Sequence, residues 1–292
     1  MKPVAVVHLV RKVNGVGVLK EFLAAYREYE AGMEHDLVCV LKGFTDAAEM
    51  APYQELLQGI CTRVMDVPDR GYDITAYWMA AEAFEYPLFC YLNSFSRILA
   101  HGWLEKLHAA AARKNVGLVG ATGSYQSFRP SSFNTFVQIS RESKHRGRVK
   151  DALMALPFSH HLNYLRHKLL FGPGYHNFPN YHIRTNAFVL RRDVMRKAFR
   201  RPITTKMDAY DFESGRYNLT MRLLQAGFHP LVVGIDGTMY PREDWHMSNT
   251  FWQADQQNLL VADNQTRHYA EGSPHVRSLL SRMAWEDLAR PA

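Results

Sequence analysis

A chain of 292 residues, 47% hydrophobic and 22% charged, can bury a sizeable core, which excludes a disordered or collagen-like protein. The net charge of +7 favours an anionic partner without choosing among nucleotide, nucleic acid and lipid headgroup. No stretch of about 18 residues lacks a charge. The apolar start is interrupted by His8 and closed by Arg11 and Lys12, so neither a spanning helix nor a signal peptide is expected. Cysteines number three, with Cys39 and Cys90 inside apolar strand-like runs, which fits a reducing cytoplasm.

In chain order, residues 4–10 are a β-rich run, and 16–29 place Leu19, Phe22, Leu23 and Tyr26 on one helical face. The pattern repeats with strand DLVCVLKGF, helix 47–60, strand TRVMDV, helix 73–84 and strand PLFCYLN. A helix at about 100–114 and strand VGLVGATGSY follow. Alternation of this kind predicts a mostly parallel sheet covered on both faces. Beyond Ser127 the regularity fails. Pro130, a basic run at 141–150, Pro157 and Gly172-Pro-Gly174 mark an irregular insert at about 128–180, with room for helix within 153–170. Order returns with HIRTNAFVLRRDVM as strand then helix, a helix at about 215–226 and strand HPLVVGIDG, before a C-terminal third rich in Trp, Asn, Gln and His.

Gly15 and Gly17 after the first strand invite a dinucleotide-binding reading, but the third glycine position is Lys20 and the second strand runs into Lys42-Gly43 without an acidic end. A dehydrogenase is therefore disfavoured. The glycines either turn the chain or, with Arg11 and Lys12, face a phosphate. Ligands of open α/β sheets sit beyond the carboxyl ends of the strands, which directs attention to Asn93, Ser94 and Ser96; these neutral groups serve a ligand or cap the next helix. Asp208, Asp211 and Glu213 cluster just before a helix, where one can take a proton from a hydroxyl while another caps. The 14 histidines crowd at His160, His161, His167, His176 and His182 without zinc spacing, and no GxSxG, Walker or Cys-His signature occurs. The basic run has no interleaved aromatics, so nucleic acid is not an expected partner.

Several segments, taken in order, resemble the nucleotide-sugar-dependent glycosyltransferases of the GT-A fold, particularly bacterial surface-polysaccharide enzymes. The opening VAVVHLVRKVNGVGVLKEFLAAYREYEAGMEHDLVCVLKGF resembles the nucleotide-holding β-α-β of that fold. DRGYDITAYWMAAEAFEYPLFCYLNSFSRILAHGWLEKL resembles the approach to the family's metal-binding motif, and IRTNAFVLRRDVM and DFESGRYNLTMRLLQAGF resemble its acceptor side. The resemblance implies one GT-A-like α/β domain over 1–292, with a nucleotide-sugar-binding half at 1–127 and an acceptor-side half at 128–292. It implies transfer of a sugar from a UDP or GDP donor to a glycan or lipid-linked acceptor, at the cytoplasmic face of a membrane or free in the cytoplasm.

One departure matters. Where such enzymes carry Asp-any-Asp for a manganese or magnesium ion, this chain reads Asn93-Ser-Phe-Ser96. A metal normally neutralises the leaving diphosphate, so other charge must act in its place, such as Arg11, Lys12 and Arg97, joined by Arg184, Arg216 or His246. The remaining readings are a metal held by other ligands, such as His246 or Asp236, and a non-catalytic nucleotide- or carbohydrate-binding relative. The resemblance implies Glu213, or Asp211, as acceptor base. It assigns Arg11, Gly15, Asp69, Asp73, Asn93, Ser94 and Ser96 to the donor, and Arg184, Asn186, Trp245 and His246 to the acceptor side. Trp245 and Trp252 are either sugar-stacking rings or buried anchors. Residues 141–171 are expected either to approach a membrane surface or to form a solvated loop and core helix.

Overall fold

The computed structural model describes residues 2–129, 174–199 and 202–288, together with 131–133, 135, 137, 162, 164, 165 and 169. The expectations for the basic run and for membrane contact at 141–171 therefore lie outside the described residues, apart from isolated positions.

The first half alternates as its patterning predicts: β1 (Val4–Arg11), α1 (Gly15–Glu28), β2 (Asp36–Lys42), α2 (Ala47–Leu57), β3 (Arg63–Val67), α3 (Tyr72–Ala83) and β4 (Leu88–Leu92). β1 pairs in parallel with β2 on one side, Ala5 facing Asp36, and with β4 on the other, Val4 facing Leu88. Next come β5 (Arg97–Ile98), α4 (Trp103–Ala111) and β6 (Val116–Gly120). Instead of the single strand expected through Tyr125, the chain leaves β6 and forms β7 (Gly123–Ser124), which pairs with β8 (His182–Ile183). The remaining elements are β9 (Ala187–Arg191), α5 (Arg192–Ala198), α6 (Lys206–Ser214), α7 (Leu219–Gln225), β10 (His229–Val233), β11 (Met239–Pro241), β12 (Val261–Ala262), α8 (Asn264–Ala270) and α9 (Pro274–Trp285).

Eight strands form the central sheet in the order β11-β10-β6-β9-β4-β1-β2-β3. β9 runs antiparallel between β4 and β6, and β11 runs antiparallel on the edge. Two apolar clusters cover its faces. Val4, Val6, Leu37, Cys39 and Cys90 pack against α1, α2 and α4 through Phe22, Leu57 and Trp103. Ala5, Val7, Val38, Phe89 and Phe188 pack against α3, α5, α6, α7 and α9 through Tyr77, Met195, Phe212, Leu223 and Trp285. Period-2 alternation along β1 supplies both faces, with His8 stacked on Phe22 at 3.5 Å and held neutral, its pKa lowered to about 3 by burial.

Two expectations are corrected. The carboxylate cluster precedes α7 as expected, but it also lies inside a helix of its own that was not expected, α6, whose N-cap is Thr205. The Thr205 side chain accepts from Asp208 N, and the Asp208 carboxylate accepts from Thr204 N, Thr205 N and both hydroxyls. Asp208, not Asp211, is the capping carboxylate. Nor do Asn93, Ser94 and Ser96 cap a helix: β5 follows them, and α4 starts only after Gly102 at φ 67°.

Candidate functional site

The parallel strands β1, β2 and β4 end together, and this edge gathers most of the expected donor residues. Arg11 closes β1, with Nη2 3.7 Å from Asp69 Oδ1. Lys12 is neutralised by Glu49. Gly15, at φ 76°, turns the chain from a short 3-10 turn into α1. Asp73 lies in the first turn of α3. Burial lifts its carboxyl above the ordinary range against the pull of Arg11 and Lys42, while the charge of Glu213 adds to the lift.

Lys42, which sequence reading used only as an argument against a dehydrogenase, organises this edge. Its ammonium is buried and donates to Arg70 O at 2.7 Å and to Tyr72 O, with Asp69 at 4.0 Å. Burial pushes the ammonium pKa down, while Asp73 and Asp69 oppose that push. The two carbonyls flank Gly71, at φ 66°, where a Cβ would meet Thr75 Oγ1 at 2.0 Å and Ile203 O at 2.7 Å. A lysine within an otherwise apolar strand was the available signal. Lys42→Met is expected to cost about 1 to 3 kcal/mol, because the Arg70 and Tyr72 carbonyls lose their donor. It is also expected to weaken donor binding through the displaced Asp69 and Asp73; a thermal melt with calorimetry checks both.

After β4 the chain folds on itself. Asn93 Oδ1 accepts from Phe95 N at 3.0 Å and from Ser96 Oγ at 3.1 Å, and Asn93 N donates to Asn186 O at 2.8 Å. Asn186, expected on the acceptor side, thus belongs to the Asn93 turn; it also accepts from Thr122 Oγ1 at 2.8 Å. Along this edge Arg11 Nε, Asn14 Nδ2, Ser94 Oγ and Asn186 Nδ2 are buried polar atoms with no partner among the described residues. Native proteins rarely leave such groups unpaired without a reason, and a polar ligand is one.

The acceptor-side residues divide. Arg184 and Glu213 line one cavity of about 360 Å³ with Ser124, Gln126, His182 and Trp252. Glu213 Oε2 accepts from Thr185 N at 3.0 Å and from the Thr185 hydroxyl. His182 is buried and its pKa is lowered by desolvation, against the opposing charge of Glu213. Arg184 pairs with Asp263 at 2.8 Å and lies over the Phe251 ring at 4.2 Å. Asp211, two residues before Glu213, is turned by about 200° around the helix. It lines a separate cavity of about 450 Å³ with Phe199, Arg216 and Tyr217, and engages the Tyr175 hydroxyl.

Of the two readings left open for Trp245, the structure shows the buried anchor: the ring is fully buried, and its Nε1 donates to Tyr240 O at 3.1 Å, so it has no free face. His246 stands beside Tyr125, its Nδ1 3.4 Å from the hydroxyl, rather than in the Glu213 cavity. The Trp252 ring stacks on Phe251 in the wall of that cavity. Its loop was not legible in the sequence: Asn249, Trp252, Ala254 and Gln256 all have φ between 39° and 55°. Gln253 Oε1 accepts from Asn249 N at 2.7 Å and Gln256 Oε1 from Trp252 N at 3.0 Å, which holds this costly backbone in place.

An open, mostly parallel sheet with one antiparallel strand let into it and helices on both faces is GT-A-like, as the resemblance implied. No protein-family model matches the sequence, and no curated protein matches it. Mannosyltransferase PcManGT from Pyrobaculum calidifontis, in complex with GDP-Man and Mn2+, is similar over 99% of this chain and 70% of its own, at 14% identity and a TM-score of 0.48. S. aureus TarS 1-349, in complex with UDP-GlcNAc, is similar over 41% of this chain and 34% of its own, at 15% identity and a TM-score of 0.34. Glucosyl-3-phosphoglycerate synthase from Mycobacterium tuberculosis, in complex with Mn2+, UDP and phosphoglyceric acid, is similar over 66% and 57%, at 13% identity and a TM-score of 0.34. The chain spans about a third of the length of the TarS chain. These are likenesses of backbone, and the chemistry rests on this chain's own residues.

A divalent metal of the kind the family resemblance implies does not fit the Asn93 turn. Hard cations favour charged oxygens. The turn supplies an amide whose oxygen already accepts two hydrogen bonds, and two hydroxyls. Asp236, named as an alternative ligand, spends its carboxylate on Thr238 N and Thr238 Oγ1 at 2.9 Å each. Among the described residues no group of three or more His, Cys, Asp or Glu is placed to hold an ion, and no helix is long and apolar enough to cross a membrane.

Proposed function

We propose that the protein is a glycosyltransferase that moves a sugar from a UDP- or GDP-type donor to the hydroxyl of a saccharide acceptor, free or lipid-linked, in surface-polysaccharide or glycoconjugate synthesis. The observation that carries this reading is the juxtaposition of two features. An edge of unpartnered polar groups at the ends of β1 and β4 adjoins the Glu213 cavity, because Asn186 O accepts from Asn93 N at 2.8 Å and the neighbouring Thr185 N donates to Glu213 Oε2 at 3.0 Å. In this reading 1–127 holds the donor, joined by Asn186 at the Asn93 turn, and the rest of 128–292 shapes the acceptor side.

Glu213 takes the proton of the acceptor hydroxyl, whose oxygen forms a bond to the anomeric carbon as the bond from that carbon to the diphosphate breaks. The nucleoside diphosphate leaves with the electron pair. Arg11, the Asn14 amide and the positive end of the α1 dipole stabilise its charge. Asp69 and Asp73, fixed by Lys42, contact the nucleoside or sugar; Ser94 and Asn186 contact the donor.

Release of nucleoside diphosphate from UDP- and GDP-sugars in the presence of saccharide acceptors tests the reading, and turnover is expected to survive chelation. Loss of turnover with chelator and its restoration by manganese would show that a metal is held after all. Tight nucleotide-sugar binding without release would favour the non-catalytic relative, the second reading that the neutral Asn93 turn supports. Binding of NAD with no binding of any nucleotide sugar sinks both.

A further inference from the structure

The cavity that holds Glu213 contains a second proton-accepting group that the transfer step does not use. His182 is buried in β8 and faces Ser124 of β7 across the strand pair. Its Nδ1 lies 2.8 Å from Asn180 O; a carbonyl only accepts, so Nδ1 carries the proton, and desolvation, which keeps the ring neutral, leaves a lone pair on Nε2. Asn180 holds this carbonyl in place. Its N donates to Tyr125 O at 2.9 Å, and its Nδ2 donates to Gln126 O at 3.2 Å and to Ser214 O at 2.7 Å. Ser214 follows Glu213 in α6, so one asparagine ties the His182 ring to the helix that carries the proton acceptor. Among the described residues neither His182 Nε2 nor Glu213 Oε1 has a hydrogen-bond partner, because Asn180 takes only Nδ1 and Thr185 only Oε2. Both side chains line the same cavity of about 360 Å³, at the lower end of the range for small-molecule sites.

Charge narrows what this cavity accepts. Among the described residues its wall carries two charged side chains, Glu213 and Arg184, and Asp263 neutralises the arginine at 2.8 Å. Glu213 is thus the charge without an ion pair, and it repels a second anion. The rest of the wall is neutral, with Gln126 offering an amide and Tyr210 and Trp252 offering rings for the apolar faces of a sugar. We infer that the acceptor unit bound here is an uncharged saccharide that donates one hydroxyl to Glu213 Oε1 and a second to His182 Nε2, which makes His182 a specificity-determining residue for the acceptor. The inference rests on the glycosyltransferase reading. Glu213 takes the proton of the hydroxyl that reacts, whereas His182 accepts a hydrogen bond and gains no proton.

The test uses the full chain, a UDP- or GDP-sugar that supports nucleotide release, and methyl glycosides of glucose, galactose and mannose set against methyl glucuronide and methyl galacturonide. Each neutral glycoside is expected to exceed its matching uronide by at least about tenfold in kcat/KM. His182→Phe keeps a ring but loses Nε2, and is expected to raise the acceptor KM about tenfold, the worth of one hydrogen bond, with kcat and donor affinity nearly unchanged. His182→Gln, which restores an acceptor oxygen, should fall between the two and carries the test if the phenylalanine variant fails to fold in a thermal melt. Monodeoxy versions of the best glycoside identify the partner hydroxyl. One of them should lose about tenfold with the parent and nothing further with His182→Phe, a coupling that a merely structural histidine does not produce. Losses that add for every monodeoxy compound, or an unchanged acceptor KM in the folded variants, would overturn the role of His182. Equal use of a uronide and its neutral partner would overturn the uncharged acceptor. Both results leave sugar transfer standing, whereas no nucleotide release with any acceptor removes the glycosyltransferase reading and this inference with it.

Discussion

Glu213→Gln is expected to lower turnover by about two to four orders of magnitude, the usual span for a positioned proton acceptor, with donor affinity nearly unchanged. The substitution keeps size and leaves one oxygen to accept from Thr185, so the cavity retains its shape and only the basic oxygen is lost. The control is Asp211→Asn. Asp211 opens on the other face of α6 beside Tyr175, and its loss should leave turnover nearly intact. Single-turnover kinetics with donor calorimetry separate the two effects. Equal activity of Glu213→Gln and the parent would remove Glu213 as base. Asp208 is a poor replacement, because its carboxylate is spent on the Thr204 and Thr205 groups that cap the helix.

The largest loss of stability is expected from Asp263→Ala. Asp263 is 1% exposed and the Arg184 side chain 11%, so the pair is largely out of water. Removing one partner of a buried pair strands the other charge, at about 3 to 5 kcal/mol. The same carboxylate also caps α8, its Oδ1 accepting from Gln265 N at 3.1 Å and Thr266 N at 2.9 Å, which adds about 1 kcal/mol. Asp263→Asn separates the two: it keeps an oxygen for the cap but turns an N–H donor toward Arg184. Denaturant melts should rank the parent above Asp263→Asn and Asp263→Ala lowest. A loss of only about 1 kcal/mol in the alanine variant would mean the cap alone matters. Because Arg184 lies over Phe251 in the wall of the Glu213 cavity, Asp263→Asn should also raise the acceptor KM.

The βαβ half was legible because strands buried on both faces read as apolar runs, and α1 shows its buried stripe as Leu19, Phe22 and Leu23. Helix α6 was not: KMDAYDFES buries only Phe212, so it has no stripe to read, and its start signal pairs Asp208 with Thr205, outside the carboxylate cluster that the sequence offers as proton acceptor or cap. The roles of Trp245 and Asn186 were hidden for a different reason. A tryptophan has the same letter whether its ring is walled in or free, and Asn186 meets Asn93 only because β9 lies beside β4.

By itself the sequence determined that the chain folds as a layered α/β protein, that Arg11 and Asn93 stand at the carboxyl ends of strands, and that the run from Asn93 to Ser96 carries no carboxylate. Those properties are local: periodicity, strand ends and side-chain type are written residue by residue. Only the tertiary structure decided that β9 runs antiparallel between β4 and β6, that Lys42 is the buried anchor of the Asp69 and Asp73 loop, and that Glu213 and Asp211 open on different cavities. Each of these depends on which distant segments pack together. Strand direction, the partner of a buried ammonium and the face a helix turns toward a cavity are fixed by contacts between residues far apart in the chain, and no local pattern encodes them.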